Sequence, residues 1–447
     1  MDLSFAWAWL AIWLAWLWIS IGQWFLIYKA MEVIGKNPKM SPFYLTTTVL
    51  WVALVESAWI YGLIVAFKIL STTFVDPITA IWVGLAIWLA WLWAWVWEWY
   101  LVSGALEAMN KDPENKNKIL TYMILFLALV ESSAIYGLII AFQLLSKLDL
   151  SPFLAIWAWL SVWFAWLWVA IGEWLVSRRA LIVIWDKPEL TSYLLPITVL
   201  GIALVESAAI YGLIMSFSII NATNLVDPVI AIWAWLAVWL AWLWVWIWEW
   251  ILVSNAIESM WIFRVNKTKT LTYMILFLAL VESSAIYGLI VWLQMLSVWD
   301  ISWIGAVWAW LAVWLAWLWV WIWEWVLSGR SILLISKRPT LSIFFLTVTI
   351  LWIALVESAA IYGLIIAIQI ISTPAILGVM WLWAWLWVWF AWIWAWIGEW
   401  YMVSWAFEAM YRNPAYKTKI LTYMILWIAL VESAAIYSLL VAFNILF

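Results

Sequence analysis

Residues 279–291 read ALVESSAIYGLIV, and the glutamate at position 282 sits in the middle of an apolar run long enough to cross a bilayer. The same pattern occurs six times, placing Glu56, Glu131, Glu206, Glu282, Glu357 and Glu432 at intervals of 75, 75, 76, 75 and 75 residues. The chain is therefore one unit repeated in tandem. A second polar series, Gln23, Glu98, Glu173, Glu249, Glu324 and Glu399, lies 33 residues before the first in every unit. A carboxyl group inside hydrocarbon is costly to keep there and marks a functional site by default. Six at regular spacing point to stepwise handling of ions.

Composition narrows the class before any motif is weighed. Hydrophobic residues make up 70% of the chain and charged residues 10%, with a mean hydropathy of +1.09. That balance excludes an ordinary soluble enzyme and indicates a polytopic membrane protein. Each unit holds two apolar segments, such as Val229 to Val253 and Leu271 to Leu296. At 1.5 Å per residue each can span hydrocarbon roughly 30 Å thick. The expected fold is thus all-α, with six transmembrane helical hairpins and twelve helices. The hairpins are expected at residues 1–70, 71–145, 146–220, 221–296, 297–371 and 372–447. Met1-Asp2 leads directly into the first span without a basic stretch, so the start reads as the first helix rather than a cleaved leader. With no cysteine and no histidine, disulfides, thiolate metal sites and imidazole acid–base chemistry are excluded.

Basic residues set the orientation. Eighteen of the twenty lie in the polar turn within each hairpin, three per unit, and only Lys68 and Lys147 lie elsewhere. The turns include Lys36-Asn37-Pro38, Lys111-Asp112-Pro113, Lys187-Pro188, Arg338-Pro339 and Arg412-Asn413-Pro414. By the positive-inside rule they face the cytoplasm, which puts both termini and every linker outside. Asp76-Pro77 and Asp227-Pro228 in the linkers have the N-cap and N1-proline order that starts a helix. Because each unit crosses twice, all copies share one orientation, unlike the inverted repeats of many secondary transporters.

Tryptophan follows a pattern that no interfacial belt would produce. In the fourth unit Trp235, Trp239, Trp242, Trp246 and Trp250 fall on one stripe of the first helix, and Trp233, Trp244 and Trp248 on the opposite one. Two stripes imply two neighbouring helices, and bulky indoles on both would be expected to hold those neighbours apart. At equivalent positions, however, glycine and tryptophan interchange. Gly84 stands where Trp235 does; Gly22, Gly172 and Gly398 stand where Trp97, Trp248 and Trp323 do. Gly35 matches Trp185, and Gly201 matches Trp51, Trp352 and Trp427. The smallest and largest side chains do not substitute for one another in a tight interface. The pattern reads as one codon rendered as tryptophan where the working protein carries glycine, with deliberate glycine-to-tryptophan replacement as the alternative.

Taken together, a first helix with a glycine pattern beneath its tryptophans, a basic turn ending in Lys-Asn-Pro or a variant of it, and a second helix carrying ALVES and then IYG resemble the membrane-rotor c subunit of F-type ATP synthases, here fused six times. Two departures are visible: Trp261-Ile262-Phe263-Arg264 lacks the turn proline, and Ser438 replaces the glycine after Tyr437. The resemblance implies an ion-translocating, non-catalytic rotor of an ATP synthase in the bacterial cytoplasmic membrane, its inner and outer helices set in a ring or arc. It implies contact with the stator's a subunit, with central-stalk subunits at the cytoplasmic turns and with further copies of the chain in a ring, and no nucleic acid. No cofactor is implied beyond the transported Na+ or H+. In sodium-carrying members a first-helix glutamine or glutamate joins Glu, Ser and Tyr of the second helix around the ion. The matching sets here are Gln23, Glu98, Glu173, Glu249, Glu324 and Glu399 on first helices, with Glu56, Glu131, Glu206, Glu282, Glu357 and Glu432 on second helices. Beside the latter stand Ser57, Ser132, Ser207, Ser283, Ser358 and Ser433, and Tyr61, Tyr136, Tyr211, Tyr287, Tyr362 and Tyr437.

From the residues themselves, the acids of one unit lie at similar depth, each about sixteen residues from the turn. Two such carboxyls cannot both stay charged in a low dielectric, so one proton is expected to be shared or held on the first-helix acid. An all-oxygen set suits a hard cation, which favours sodium over protons. Two other readings compete: a twelve-helix secondary transporter, and an inactive engineered concatemer.

Overall fold

A computed structural model describes residues 4–72, 77–147, 150–187, 191–221, 228–262, 267–298, 302–372 and 401–446, together with 386, 397 and 399. Every regular element among them is helical. The elements run α1 (Ser4–Lys36), α2 (Ser41–Val55), α3 (Ser57–Ser71), α4 (Pro77–Lys111), α5 (Lys116–Ser146), α6 (Pro152–Asp186), α7 (Thr191–Asn221), α8 (Pro228–Ile262), α9 (Lys267–Ser297), α10 (Trp303–Lys337), α11 (Ser342–Ser372) and α12 (Lys417–Leu446). Single 3₁₀ turns at Pro38–Met40, Pro113–Asn115, Pro339–Leu341 and Pro414–Tyr416 separate the two halves of a hairpin. Asp76, Asp227 and most of residues 373–400 lie outside the described residues.

Helices are what these segments must form, because hydrocarbon offers no partner for an unpaired backbone group. Hydroxyls follow the same logic: Thr48, Thr198 and Thr349, at equivalent positions, each donate to the carbonyl four residues back at 2.7 Å. Termini are marked by proline and polar side chains. Pro152 opens α6, and the Ser302 hydroxyl accepts from the Gly305 amide at 3.1 Å to cap α10. α2 and α3 are one helix with a slip at Glu56, whose amide still donates to the Val52 carbonyl at 3.0 Å. By length and composition, four described segments suffice to cross a membrane, Pro152–Ile184, Leu194–Asn221, Pro339–Ser372 and Pro414–Ala442.

The chain divides into two compact units, Met1–Thr223 and Asn224–Phe447. Within the first, α1, α4 and α6 are neighbours, and each packs against the second helix of its own hairpin. The second helix of one hairpin also touches the first helix of the next: α3 touches α4, and α5 touches α6. The second unit repeats this, with α8 beside α10, α8 paired with α9, α10 with α11, and α9 also against α10. The packing is therefore directional along the chain.

One close approach explains residues that the motif alone left without a reason. A Cβ on Gly212 would lie 2.6 Å from the Ala165 Cβ and 2.8 Å from the Ser161 carbonyl oxygen, so α7 meets α6 backbone to backbone at the glycine of IYG. Ala165 recurs as Ala15, Ala90, Ala241, Ala316 and Ala391. That recurrence was the available signal.

The tryptophan-bearing first helices are packed as neighbours. Cα atoms of α4 and α6, and of α8 and α10, approach within 8 Å. Along one helix, rings four residues apart lie flat on each other: Trp159 on Trp163 at 5.7 Å, Trp235 on Trp239 at 5.4 Å and Trp310 on Trp314 at 5.8 Å. Between helices they meet tilted, Trp82 on Trp159 at 5.1 Å and Trp233 on Trp310 at 5.5 Å. Burying these rings has a cost, because the indole nitrogens of Trp51, Trp82, Trp159, Trp163, Trp166, Trp233, Trp292, Trp310, Trp314 and Trp352 are buried with no hydrogen-bond partner among the described residues. Each such orphaned donor costs about 1–3 kcal/mol. Gly201 at the position of Trp51 and Trp352 avoids that cost.

Candidate functional site

The site begins with the first helices, which bury their carboxyl groups almost completely. Glu98, Glu173 and Glu324 are 0% exposed, and Glu249 and Glu399 are 1% exposed. Both carboxyl oxygens of Glu98, Glu249 and Glu324 lack a hydrogen-bond partner among the described residues. A buried charge without a partner is strongly destabilising, so these groups must be neutral or must face something charged that the chain does not itself provide.

What they face is the second-helix glutamate of the same hairpin. Glu98 interacts electrostatically with Glu131, Glu173 with Glu206, Glu249 with Glu282 and Glu324 with Glu357. The four second-helix partners are half-buried. The helices bring each pair together because both members stand at the same depth on adjacent helices. The first hairpin is different. There Gln23 donates through Nε2 to Glu56 Oε1 at 3.4 Å, and Glu56 is exposed.

Two tyrosines also face the acid pair of the following hairpin. Tyr136, on α5, interacts with Glu173 and Glu206 of the following hairpin, and its ring lies 4.6 Å from that of Trp166 on α6. Tyr287, on α9, likewise interacts with Glu324 and Glu357. The packing of α5 against α6 and of α9 against α10 carries these two tyrosines toward the next hairpin. Tyr61, Tyr211 and Tyr362 are half-buried, and Tyr437 is exposed. Among the serines, Ser207 is half-buried beside Glu206 in sequence. The side chains of Ser57, Ser132, Ser283, Ser358, Glu432 and Ser433 lie outside the described residues.

The basic turns tie neighbouring hairpins together. Lys29 pairs with Glu107 of the next first helix as well as with Glu32 at 3.0 Å. Lys269 donates to the Ser342 hydroxyl at 3.0 Å, and the Arg338 guanidinium lies 4.5 Å above the Tyr411 ring.

Helical hairpins in tandem, each with a carboxyl at mid-span on its second helix, agree with a family model. The model for the ATP synthase C subunit matches residues 6–69, 81–144, 156–219 and 382–445, together more than half of the chain. This chain belongs to the ATP synthase c subunit family. The ATP synthase c subunit of Carboxydothermus hydrogenoformans is 37% identical over 79 residues, 18% of this chain and 96% of the relative. That of Chloroflexus aurantiacus (strain ATCC 29366 / DSM 635 / J-10-fl) is 48% identical over 42 residues, 9% of this chain and 55% of the relative. That of Clostridium botulinum (strain Eklund 17B / Type B) is 51% identical over 43 residues, 10% of this chain and 61% of the relative. The chain spans about half the length of the Chloroflexus relative it matches and nearly all of the Carboxydothermus one. It is thus a tandem fusion of c-subunit repeats, an integral membrane protein whose family role is that of the rotor in ATP synthase.

Proposed function

We propose that this c-subunit fusion carries Na+, with H+ as the lesser cargo, on the second-helix glutamates past a stator subunit, so that ion flow turns a ring of hairpins and drives ATP synthesis. The observation that supports this is the fully buried first-helix carboxyl facing a half-buried second-helix glutamate in four hairpins. Two facing carboxyls in hydrocarbon cannot both be ionised, so each pair keeps one proton and offers one negative charge. A single cation neutralises it, which is the condition for passing lipid. Carboxyl, hydroxyl and phenol oxygens are ligands for a hard cation, and neither nitrogen nor sulfur is among them. Each ion moved through the membrane potential releases about 2.3 kcal/mol per 100 mV. The protein performs no bond chemistry itself.

The partners follow from the same reading: the stator's a subunit at the glutamates, central-stalk subunits at the basic turns, further copies of the chain and surrounding lipid. The setting is a bacterial cytoplasmic membrane with both termini outside. Vesicles carrying the assembled complex test the cargo. ATP hydrolysis is expected to drive sodium uptake that a protonophore does not abolish. Acidification abolished by protonophore, with no sodium uptake, would make the cargo a proton.

A further inference from the structure

We infer that this chain works in pairs of hairpins, in which an odd-numbered hairpin is latched to the even-numbered one after it by a polar bridge between first helices and a lysine–aromatic contact at the turn. The pairing stands on its own geometry. Its consequence, that two carboxyl sites travel past the stator as one body, rests on the ion-carrier reading above.

The first observation is a longer period inside the short one. Six residues past the first-helix polar residue stand Lys29, Arg179 and Arg330 in the first, third and fifth hairpins, but Gly104, Asn255 and Trp405 in the second, fourth and sixth. Nine residues past it, the even hairpins all carry an acid, Glu107, Glu258 and Glu408. Thirteen residues before the second-helix glutamate, aromatic Phe43, Tyr193 and Phe344 alternate with Lys118, Lys269 and Lys419. Fifteen before it, Ser41, Thr191 and Ser342 alternate with Lys116, Lys267 and Lys417. Hairpins of one kind therefore recur every 150 or 151 residues. Cations lie on the first helix of the odd kind, and the even kind sets an acid on its first helix and two lysines at the start of its second.

The second observation is that the contacts use this alternation. Lys29 of the first hairpin pairs with Glu107 of the second, while also holding Glu32 at 3.0 Å. In the fifth hairpin the equivalent Arg330 donates to the Ser404 hydroxyl of the sixth, one turn above Glu408. At the turn, Lys116 Nζ lies 5.0 Å above the Phe43 ring and Lys417 Nζ 4.9 Å above the Phe344 ring, the same contact at the same two joints. Lys29 stands seven residues, about 10 Å, from the end of α1, deep enough that a charge needs an opposite one beside it. Two odd hairpins side by side would set cation against cation, so the order of kinds is fixed by charge.

The third observation comes from the joint between the second and third hairpins. Gly104 occupies the position of Lys29, and a Cβ built on it would meet nothing within 4 Å. Beside it a pocket of about 110 Å³ opens between α4 and α6, lined by Gly104, Glu107, Lys111 and Arg178 among others. At this joint the latch residue is replaced by glycine and the space stands open, so compliance is expected between pairs and rigidity within them.

Pulsed electron paramagnetic resonance on the full chain in membranes tests the pairing, since a chain without cysteine takes spin labels only where cysteine is introduced. Labels at Tyr28→Cys and Ser103→Cys read the joint between hairpins one and two, and labels at Ser103→Cys and Leu175→Cys read the joint between two and three. The first distance distribution is expected to be about half as wide as the second. Lys29→Gln is expected to widen the first about twofold and leave the second unchanged. Lys29→Arg, and the exchange of Lys29→Glu with Glu107→Lys, are expected to keep it narrow. Equal widths at the two joints in the parent chain would overturn the pairing, as would a first distribution that Lys29→Gln does not widen. Widening by Lys29→Gln that the charge exchange fails to reverse would overturn the ion pair as the latch. These widths are read without sodium or a stator, so they hold or fail apart from the carrier reading.

Discussion

The first and third hairpins present the same two depths with different chemistry. In the first, a carboxamide donates to an exposed glutamate at 3.4 Å; in the third, a fully buried Glu173 faces a half-buried Glu206 that also meets the tyrosine of the hairpin before it. A carboxamide satisfies the second-helix carboxylate as a neutral donor. A carboxyl does so only while it holds a proton. The backbone is helical in both, so at this depth the two hairpins differ in one first-helix residue and in the phenol of a neighbouring hairpin.

That comparison is most severely strained by removing the second-helix acid. Glu206→Gln is expected to abolish ion-coupled rotation although the other sites remain, because in a rotor every site must pass the stator in turn. Continued ATP-driven ion uptake above about a hundredth of the parent rate, equivalent to ~2.7 kcal/mol of lost coupling, would show that the glutamates are not carriers.

Less drastic is Glu173→Gln, which gives the third hairpin the first-helix residue of the first. It is expected to keep transport while removing the retained proton, so that sodium protection of Glu206 extends to higher proton concentration. Unchanged pH dependence of Glu206 labelling would mean that the acid pair does not share a proton. The converse change, Gln23→Glu, is expected to leave Glu56 labelling closer in its pH profile to Glu206.

A structural effect of similar size is expected at Gly212. Ala in its place puts a methyl 2.6 Å from the Ala165 Cβ, an overpacking worth about 1–3 kcal/mol. Thermal unfolding in detergent measures it, and a neutral outcome would mean that α6 and α7 separate freely.

The tandem repeat, the helix pairs and the shared depth of the two acids were readable from residue spacing, because period and rise are fixed by the α-helix. The neighbour that receives Tyr136 was not readable. Spacing gives a depth and a face, whereas the choice between the same hairpin and the next depends on how second helices lean, which only packing decides. The IYG glycine was recognised as a motif, but its reason, the Ala165 backbone approach, needed the two helices side by side.

The buried indole nitrogens without partners sharpen the glycine–tryptophan interchange into a mass measurement. The protein isolated from its own cells is expected to be lighter than the written chain by one tryptophan-to-glycine difference at most of these positions. An intact mass matching tryptophan throughout would overturn that expectation.

Whether sodium rides on the second-helix glutamates is decided by site-resolved carbodiimide labelling at fixed pH with and without millimolar sodium. Sodium is expected to slow labelling of Glu56, Glu131, Glu206, Glu282, Glu357 and Glu432 together. Labelling that responds to pH alone, with sodium without effect at every one of these glutamates, would show that they do not carry it.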